Sequence, residues 1–126
     1  MVAKSILNIT SIMTAAILCL AVPASAAHPD GTWTMTAQTT RGHCGTVEMG
    51  MAITRGRIHS TSGSFAFYPI NLGGRVSASG STSLRAIAGP RIAHGTGHFG
   101  TVRGSGTWAG RGPSVLCSGV WSASRT

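Results

Sequence analysis

An all-β domain is predicted by three properties of this sequence. Apolar residues alternate with small polar ones at a spacing of two, no window after the N-terminal leader carries a stripe of helical period, and glycines recur at a fixed distance before the aromatic rings. The expected form is a small antiparallel meander of about eight short strands, closed as a barrel or folded as a sandwich, after an N-terminal signal helix. A short glycine-rich solenoid is the alternative. A repeated [Ser/Thr]-Gly-x-aromatic tetrapeptide, as at Thr96, Ser105 and Ser118, is too short and too unevenly spaced to define one.

The leader occupies residues 1–26. A positive start at Met1 and Lys4 is followed by an apolar run from Ile6 to Val22, a break at Pro23 and the small-residue site Ala24-Ser25-Ala26. This is the layout of a secretory signal, with cleavage expected before Ala27 or before His28. The run of about 17 residues, interrupted by Asn8, Thr10 and Ser11, is short for a membrane anchor. Cys19 follows Leu18 deep in the run, where a lipid-attachment motif would need a small residue. The protein is therefore expected to be exported, to a periplasm or beyond the cell, with residues 27–126 as one domain.

Removing the leader changes the chemistry of what remains. Lys4 is the only lysine among ten basic side chains, so the mature chain keeps nine arginines against two carboxylates, Asp30 and Glu48, and the net charge falls from +8 to +7. Cys19 also leaves, which pairs Cys44 with Cys117 by elimination in an oxidising compartment. A domain of about a hundred residues buries a modest share of its surface and benefits from such a staple.

Along the mature chain, Trp33, Met35 and Ala37 alternate with Thr32, Thr34 and Thr36, which makes a first half-buried strand. Val47, Met49, Met51 and Ile53 alternate with Glu48, Gly50, Ala52 and Thr54 in a second. Near the end, Cys117, Gly119, Trp121 and Ala123 share one face, so the staple and a large ring point into the same core. Breaks are expected at 41–45, 54–56, 62–64, 69–74, 80–82, 89–90, 100 and 110–113, where Gly, Pro, Ser and Arg gather. Between Gly73 and Gly112 large apolar residues are scarce, and a sheet there should be thin with a weakly specified register.

Five of the six Phe and Trp residues have a glycine two positions before them: Gly31 and Trp33, Gly63 and Phe65, Gly97 and Phe99, Gly106 and Trp108, Gly119 and Trp121. Chance would give roughly one such pair at this glycine content. Residues two apart on a strand share a face, where a bare glycine leaves room for a ring to lie across backbone. The rings are read as core; a stacking platform for bases or sugars would need them exposed.

Two resemblances attach to these residues. Asp30-Gly31-Thr32-Trp33 is similar to the G-x-W opening of lipocalin and avidin barrels. Gly31-x-Trp33, Thr40-Arg41-Gly42-x-Cys44-Gly45, Gly104-Ser105-Gly106-Thr107-Trp108 and the ending Cys117-x-Gly119-x-Trp121-x-Ala123-x-Arg125 resemble a group of short, exported, uncharacterised bacterial proteins, some of them labelled as related to haem utilisation or adhesion. That resemblance implies export, a disulfide and a β fold, and brings no catalytic or binding residues with it.

Catalysis is not expected. Paired-carboxylate chemistry needs two acids converging on one bond, and the two present are far apart in sequence, with Asp30 beside the new terminus. No G-x-S-x-G turn accompanies the histidines and serines. The first expectation is a non-enzymatic structural or interaction module of the bacterial envelope, with no cofactor. A sharper form is a binder of envelope polyanions such as lipopolysaccharide, acidic polysaccharide or DNA, because arginine forks suit phosphate, sulfate and carboxylate. Candidate contacts are Arg41, Arg55, Arg57, Arg103 and Arg111; one shared face would favour binding, an even scatter mere solubility. A third reading places haem or a metal between His94 and His98, which lie ~13 Å apart on a strand and converge only if a loop brings them together.

Overall fold

The computed structural model describes residues 29–126, so the expected signal segment and its cleavage sites lie outside the described residues. The alternations at 33–37 and 47–53 fold as anticipated. Strand β1 (Gly31–Arg41) turns Trp33 and Met35 inward and leaves its threonines outward or half-covered, and β2 (Thr46–Thr54) turns Met49, Met51 and Ile53 inward. There follow β3 (Arg57–Ser62), the two short strands β4 (Ser64–Phe65) and β5 (Tyr68–Pro69), β6 (Asn71–Val76), β7 (Ser81–Ala88), β8 (Arg91–Phe99), β9 (Arg103–Gly112) and β10 (Val115–Arg125).

Eight of these close into an antiparallel barrel in the order β1-β10-β9-β8-β7-β6-β3-β2, and β4 with β5 forms a separate hairpin inserted between β3 and β6. Barrel and sandwich were both compatible with the sequence; the barrel is what forms. Closure comes from β1 pairing with β10 over a register that runs from Trp33 opposite Arg125 to Arg41 opposite Ser118. No edge of the eight-stranded sheet stays open to pair with another chain. Its outer wall is polar and its interior apolar, the reverse of a barrel that faces lipid hydrocarbon. Among the described residues no helix is long and apolar enough to cross a membrane.

The two ends of the barrel differ. At one end lie the chain termini and the connections β2–β3, β6–β7 and β8–β9, and this end is plugged. Trp33 and Phe99 meet edge to face at 5.2 Å and Phe99 meets Trp121 at 5.3 Å, with Met51 and Ile53 packed beside them. Asp30 accepts from the backbone N–H groups of Arg55 (2.8 Å) and Gly56 (3.2 Å), which hold the β2–β3 turn with both residues at positive φ. Arg125 stacks on Trp33 at 4.9 Å and donates to the carbonyls of Thr101 and Asp30. Gly31 is what makes room for that guanidinium, since a Cβ there would sit 2.6 Å from one of its nitrogens.

The expected break at 69–74 is not a loop. Asn71–Val76 is strand β6, with Leu72 and Val76 inward, and the true break is the tight hairpin between Ser64 and Pro69. Ser60 bridges the gap this insertion leaves in the sheet, donating to Ile70 O at 2.7 Å and accepting from Leu72 N at 3.0 Å.

The glycine-rich stretch is neither thin nor loose, because rings from adjacent strands lie on its bare backbone. Gly97 pairs with Gly106 and Gly106 with Trp121, forming one row across β8, β9 and β10. A Cβ on Gly97 would meet the Trp121 ring at 2.5 Å, and one on Gly104 would meet Phe99 at 2.7 Å. In the next row Gly95 pairs with Trp108 and Trp108 with Gly119, and it is again Trp121 that faces Gly95, with Nε1 3.5 Å from where a Cβ would be. The local glycine-to-ring spacing is thus the visible half of a cross-strand pattern, in which the Trp121 and Phe99 rings fill the space left by glycines of other strands.

Candidate functional site

The opposite end of the barrel is open. Around it lie the β1–β2 loop, the β4–β5 hairpin and the β7–β8 and β9–β10 turns. The Arg41-Gly42-x-Cys44-Gly45 motif forms the first of these. Gly42 and Gly45 both take positive φ, and Gly42 approaches Cys117 Sγ so closely that a Cβ would lie 2.8 Å from it. The Cys44–Cys117 disulfide anticipated from the sequence is formed and ties this loop to the start of β10, 73 residues on.

Below the rim is a cavity of about 130 Å³. Its walls come from Met35, Ala37, Val47, Leu84, Ala86 and Trp108, with Phe65 and the disulfide near the mouth. Smallness of the side chains is what leaves the space: this half of the barrel carries Ala37, Ala86, Ala88, Ala93 and Gly110 where the plugged half carries Trp33, Phe99 and Trp121. An apolar cavity of comparable size admits a benzene ring.

Two polar groups enter this apolar surround. Arg91 opens β8 on the inward face, in phase with Ala93, Gly95, Gly97 and Phe99. Its guanidinium carbon stands 5.5 Å from the Phe65 ring centroid, and its Nε is buried without a hydrogen-bond partner among the described residues. Thr39 Oγ1 is in the same condition and also lines the cavity. A buried N–H without a partner is costly, and a bound anion or acceptor would relieve it. Trp108, by contrast, is satisfied, donating from Nε1 to Val120 O at 3.2 Å.

The five arginines singled out from the sequence do not share a face. Arg41 and Arg111 are exposed at the open end, on either side of β10. Arg55 lies in the β2–β3 turn, Arg57 follows it and Arg103 opens β9, all at the plugged end. A basic cluster does form, around Arg57 alone of that set. Arg57 stands directly opposite Arg75 across β3 and β6, and Arg85 lies one row further on β7, opposite His94. All four side chains are exposed. Between them Gly73 presents bare backbone, with nothing within 4 Å of where its Cβ would be. Arg75 and Arg85 escape sequence reading because the pairing of β3 with β6 skips a hairpin. Arg91 was legible in principle, since counting back by twos from Phe99 puts it inside.

His94 and His98 both belong to the regular part of β8, exposed and separated by two repeats of the strand, so no loop brings them together. His98 Nε2 is 2.7 Å from Ser79 O. Among the described residues no group of three or more His, Cys, Asp or Glu side chains converges as metal ligands would. The two carboxylates are also apart: Asp30 holds the β2–β3 turn, and Glu48 stands on the outer wall opposite Thr36. No protein-family model matches the chain, and no curated protein matches its sequence.

Proposed function

We propose that the mature domain is a non-enzymatic binding barrel of the bacterial envelope, whose open-end cavity takes a small apolar compound bearing one anionic group, such as an aromatic or short-chain carboxylic acid. The observation that carries this reading is the combination, in one cavity, of an apolar lining with the partnerless Nε of Arg91. An apolar body would fill the space beside Ala86 and Trp108, and its carboxylate would accept from Arg91. Such charge-assisted contacts are about twice as strong as neutral ones. Export rests on the leader at residues 1–26.

Titration with benzoate and with toluene, followed by tryptophan fluorescence, tests the reading. Both probes should bind saturably, and filling the cavity by Ala86→Phe should abolish both. Arg91→Gln should weaken benzoate by about tenfold while leaving toluene nearly unchanged. Absence of saturable binding by either probe, or benzoate binding indifferent to Ala86→Phe, would overturn it.

A second reading, arginine-mediated binding of envelope polyanions such as lipopolysaccharide, acidic polysaccharide or DNA, is favoured by the outer face of β3, β6 and β7. Like charges directly opposite one another destabilise a sheet. Arg57 and Arg75 are such a pair, with Arg85 beside them and no carboxylate of the described residues on those three strands. A polyanion lying across Gly73 would turn that repulsion into attraction.

A further inference from the structure

The sixth aromatic of the Phe and Trp set, Phe67, has no glycine two positions before it, and it is also the one whose ring is not in the core. It sits at the tip of the β4–β5 hairpin with a relative exposure of 104 %. Ala66 and Phe67 are the central residues of the turn joining Phe65 to Tyr68, and both have positive φ, 49° and 72°. Such a two-residue turn is of the primed kind that Asn-Gly satisfies without strain, and a bulky residue at positive φ is uncommon. The hairpin thus holds an aromatic side chain in an unfavourable backbone conformation in order to place it in water, which serves neither the core nor solubility. Strain of this sort concentrates at functional positions.

A second apolar tip stands at the same end of the barrel. Leu116 is 80 % exposed, two residues after Ser114, which also has positive φ. Arg111 lies directly opposite it on β9, and Arg41 is on the other flank, opposite Ser118. Arg91 adds a third guanidinium at the mouth. The single carboxylate of the described residues on that half of the barrel, Glu48, points outward from β2 opposite Thr36.

From this arrangement we infer that the open end of the barrel docks on an anionic phospholipid bilayer, with Phe67 and Leu116 inserted at the headgroup boundary and Arg41 and Arg111 against lipid phosphates. Exposed apolar side chains at the rim, Phe67 on a turn and Leu116 at the start of a strand, flanked by arginine and raised around a mouth, match the layered chemistry of a membrane surface, apolar below and anionic above. A protein partner would instead call for one continuous apolar patch. The inference goes beyond the cavity reading and does not depend on it: Ala86→Phe fills the cavity and leaves both tips in place.

Co-sedimentation with vesicles of phosphatidylcholine, with and without phosphatidylglycerol, tests the inference. The full domain should bind the mixed vesicles and not the neutral ones. Leu116→Ser should weaken binding by at least about tenfold, as expected for one large apolar side chain left in water. Arg111→Gln should weaken it by about fivefold, the share of one cation near a charged bilayer. The informative variant is the double replacement Ala66→Asn with Phe67→Gly, which gives the turn its preferred residues. It should raise the thermal midpoint and yet lose vesicle binding by at least about tenfold, which separates lost contact from lost folding. Overturning results are equal binding to neutral vesicles, no binding to anionic ones, undiminished binding by the double variant, or complete displacement by a soluble polyanion with no dependence on Phe67 and Leu116. The last would assign the interaction to the arginine face of β3, β6 and β7 instead.

Discussion

The rows of glycine and ring across β8, β9 and β10 can be tested by one substitution made at two places. Gly106→Ala adds a methyl group whose carbon would lie 2.6 Å from Trp121 Nε1 and 2.7 Å from Cε2, and hard against the carbonyl oxygen of Thr96. The ring has nowhere to go, because it donates to Thr96 O at 3.2 Å and packs on Phe99. Overpacking of this kind costs about 1–3 kcal/mol, and the loss of the Trp121 hydrogen bond sets the expectation at the upper end, about 3 kcal/mol. For a domain of this size each kcal/mol moves the midpoint by roughly 4–8 °C, so a fall of roughly 12–24 °C is expected. Gly73→Ala is the control. Nothing lies within 4 Å of its added carbon and its φ is not in the left-handed region, so the lower entropy of the unfolded chain should stabilise the protein by about 0.5 kcal/mol. The assay is urea unfolding followed by tryptophan fluorescence and, independently, far-ultraviolet circular dichroism. Equal stability of the two variants would refute the claim that bare backbone under the rings is what packs this half of the barrel. A Trp121→Phe background should soften the Gly106→Ala loss measurably, as coupled neighbours do.

Two other outcomes can be checked with the same equipment. Replacing Cys44 and Cys117 together by serine opens a crosslink spanning 73 residues and should lower stability by about 4 kcal/mol, read as a shifted urea midpoint; a loss under about 1 kcal/mol would mean that the unfolded chain is already compact. Arg57→Glu turns the like-charge pair with Arg75 into an attractive one. It should raise stability by about 0.2–1 kcal/mol and at the same time weaken heparin or DNA retention in low salt, and retention unchanged by it would rule out the β3, β6 and β7 face as the polyanion contact.

Much of the barrel was legible because its code is local. Alternation in 33–37 and 47–53 assigns each side chain to a face within its own strand, and the glycine-to-ring spacing marks the inward positions of β8, β9 and β10. The disulfide followed from the expected compartment and the cysteine count. What stayed hidden depends on pairing between distant segments. Arg57 meets Arg75 only once β6 is known to replace the β4–β5 hairpin beside β3, and the glycines at 73 and 74 look like a turn until Leu72 and Val76 are seen on the inside. The cavity is a difference in side-chain size between two ends of one interior, which no single strand displays. Arg91 was assigned to no site because a charged residue after Gly89-Pro90 suggests a solvated turn, and only the phase of the whole strand puts it inside.

The seam between β1 and β10 also sets the order of assembly. Trp33 finds its place opposite Arg125, so the first strand of the barrel waits for the last, and the plug at the termini is built from both ends of the domain at once. Contacts this distant in sequence make for slow folding. Until Val115–Arg125 has left the ribosome, β1 lacks one neighbour and the barrel cannot close. A barrel shut by its last strand is held open by its own topology for as long as synthesis takes.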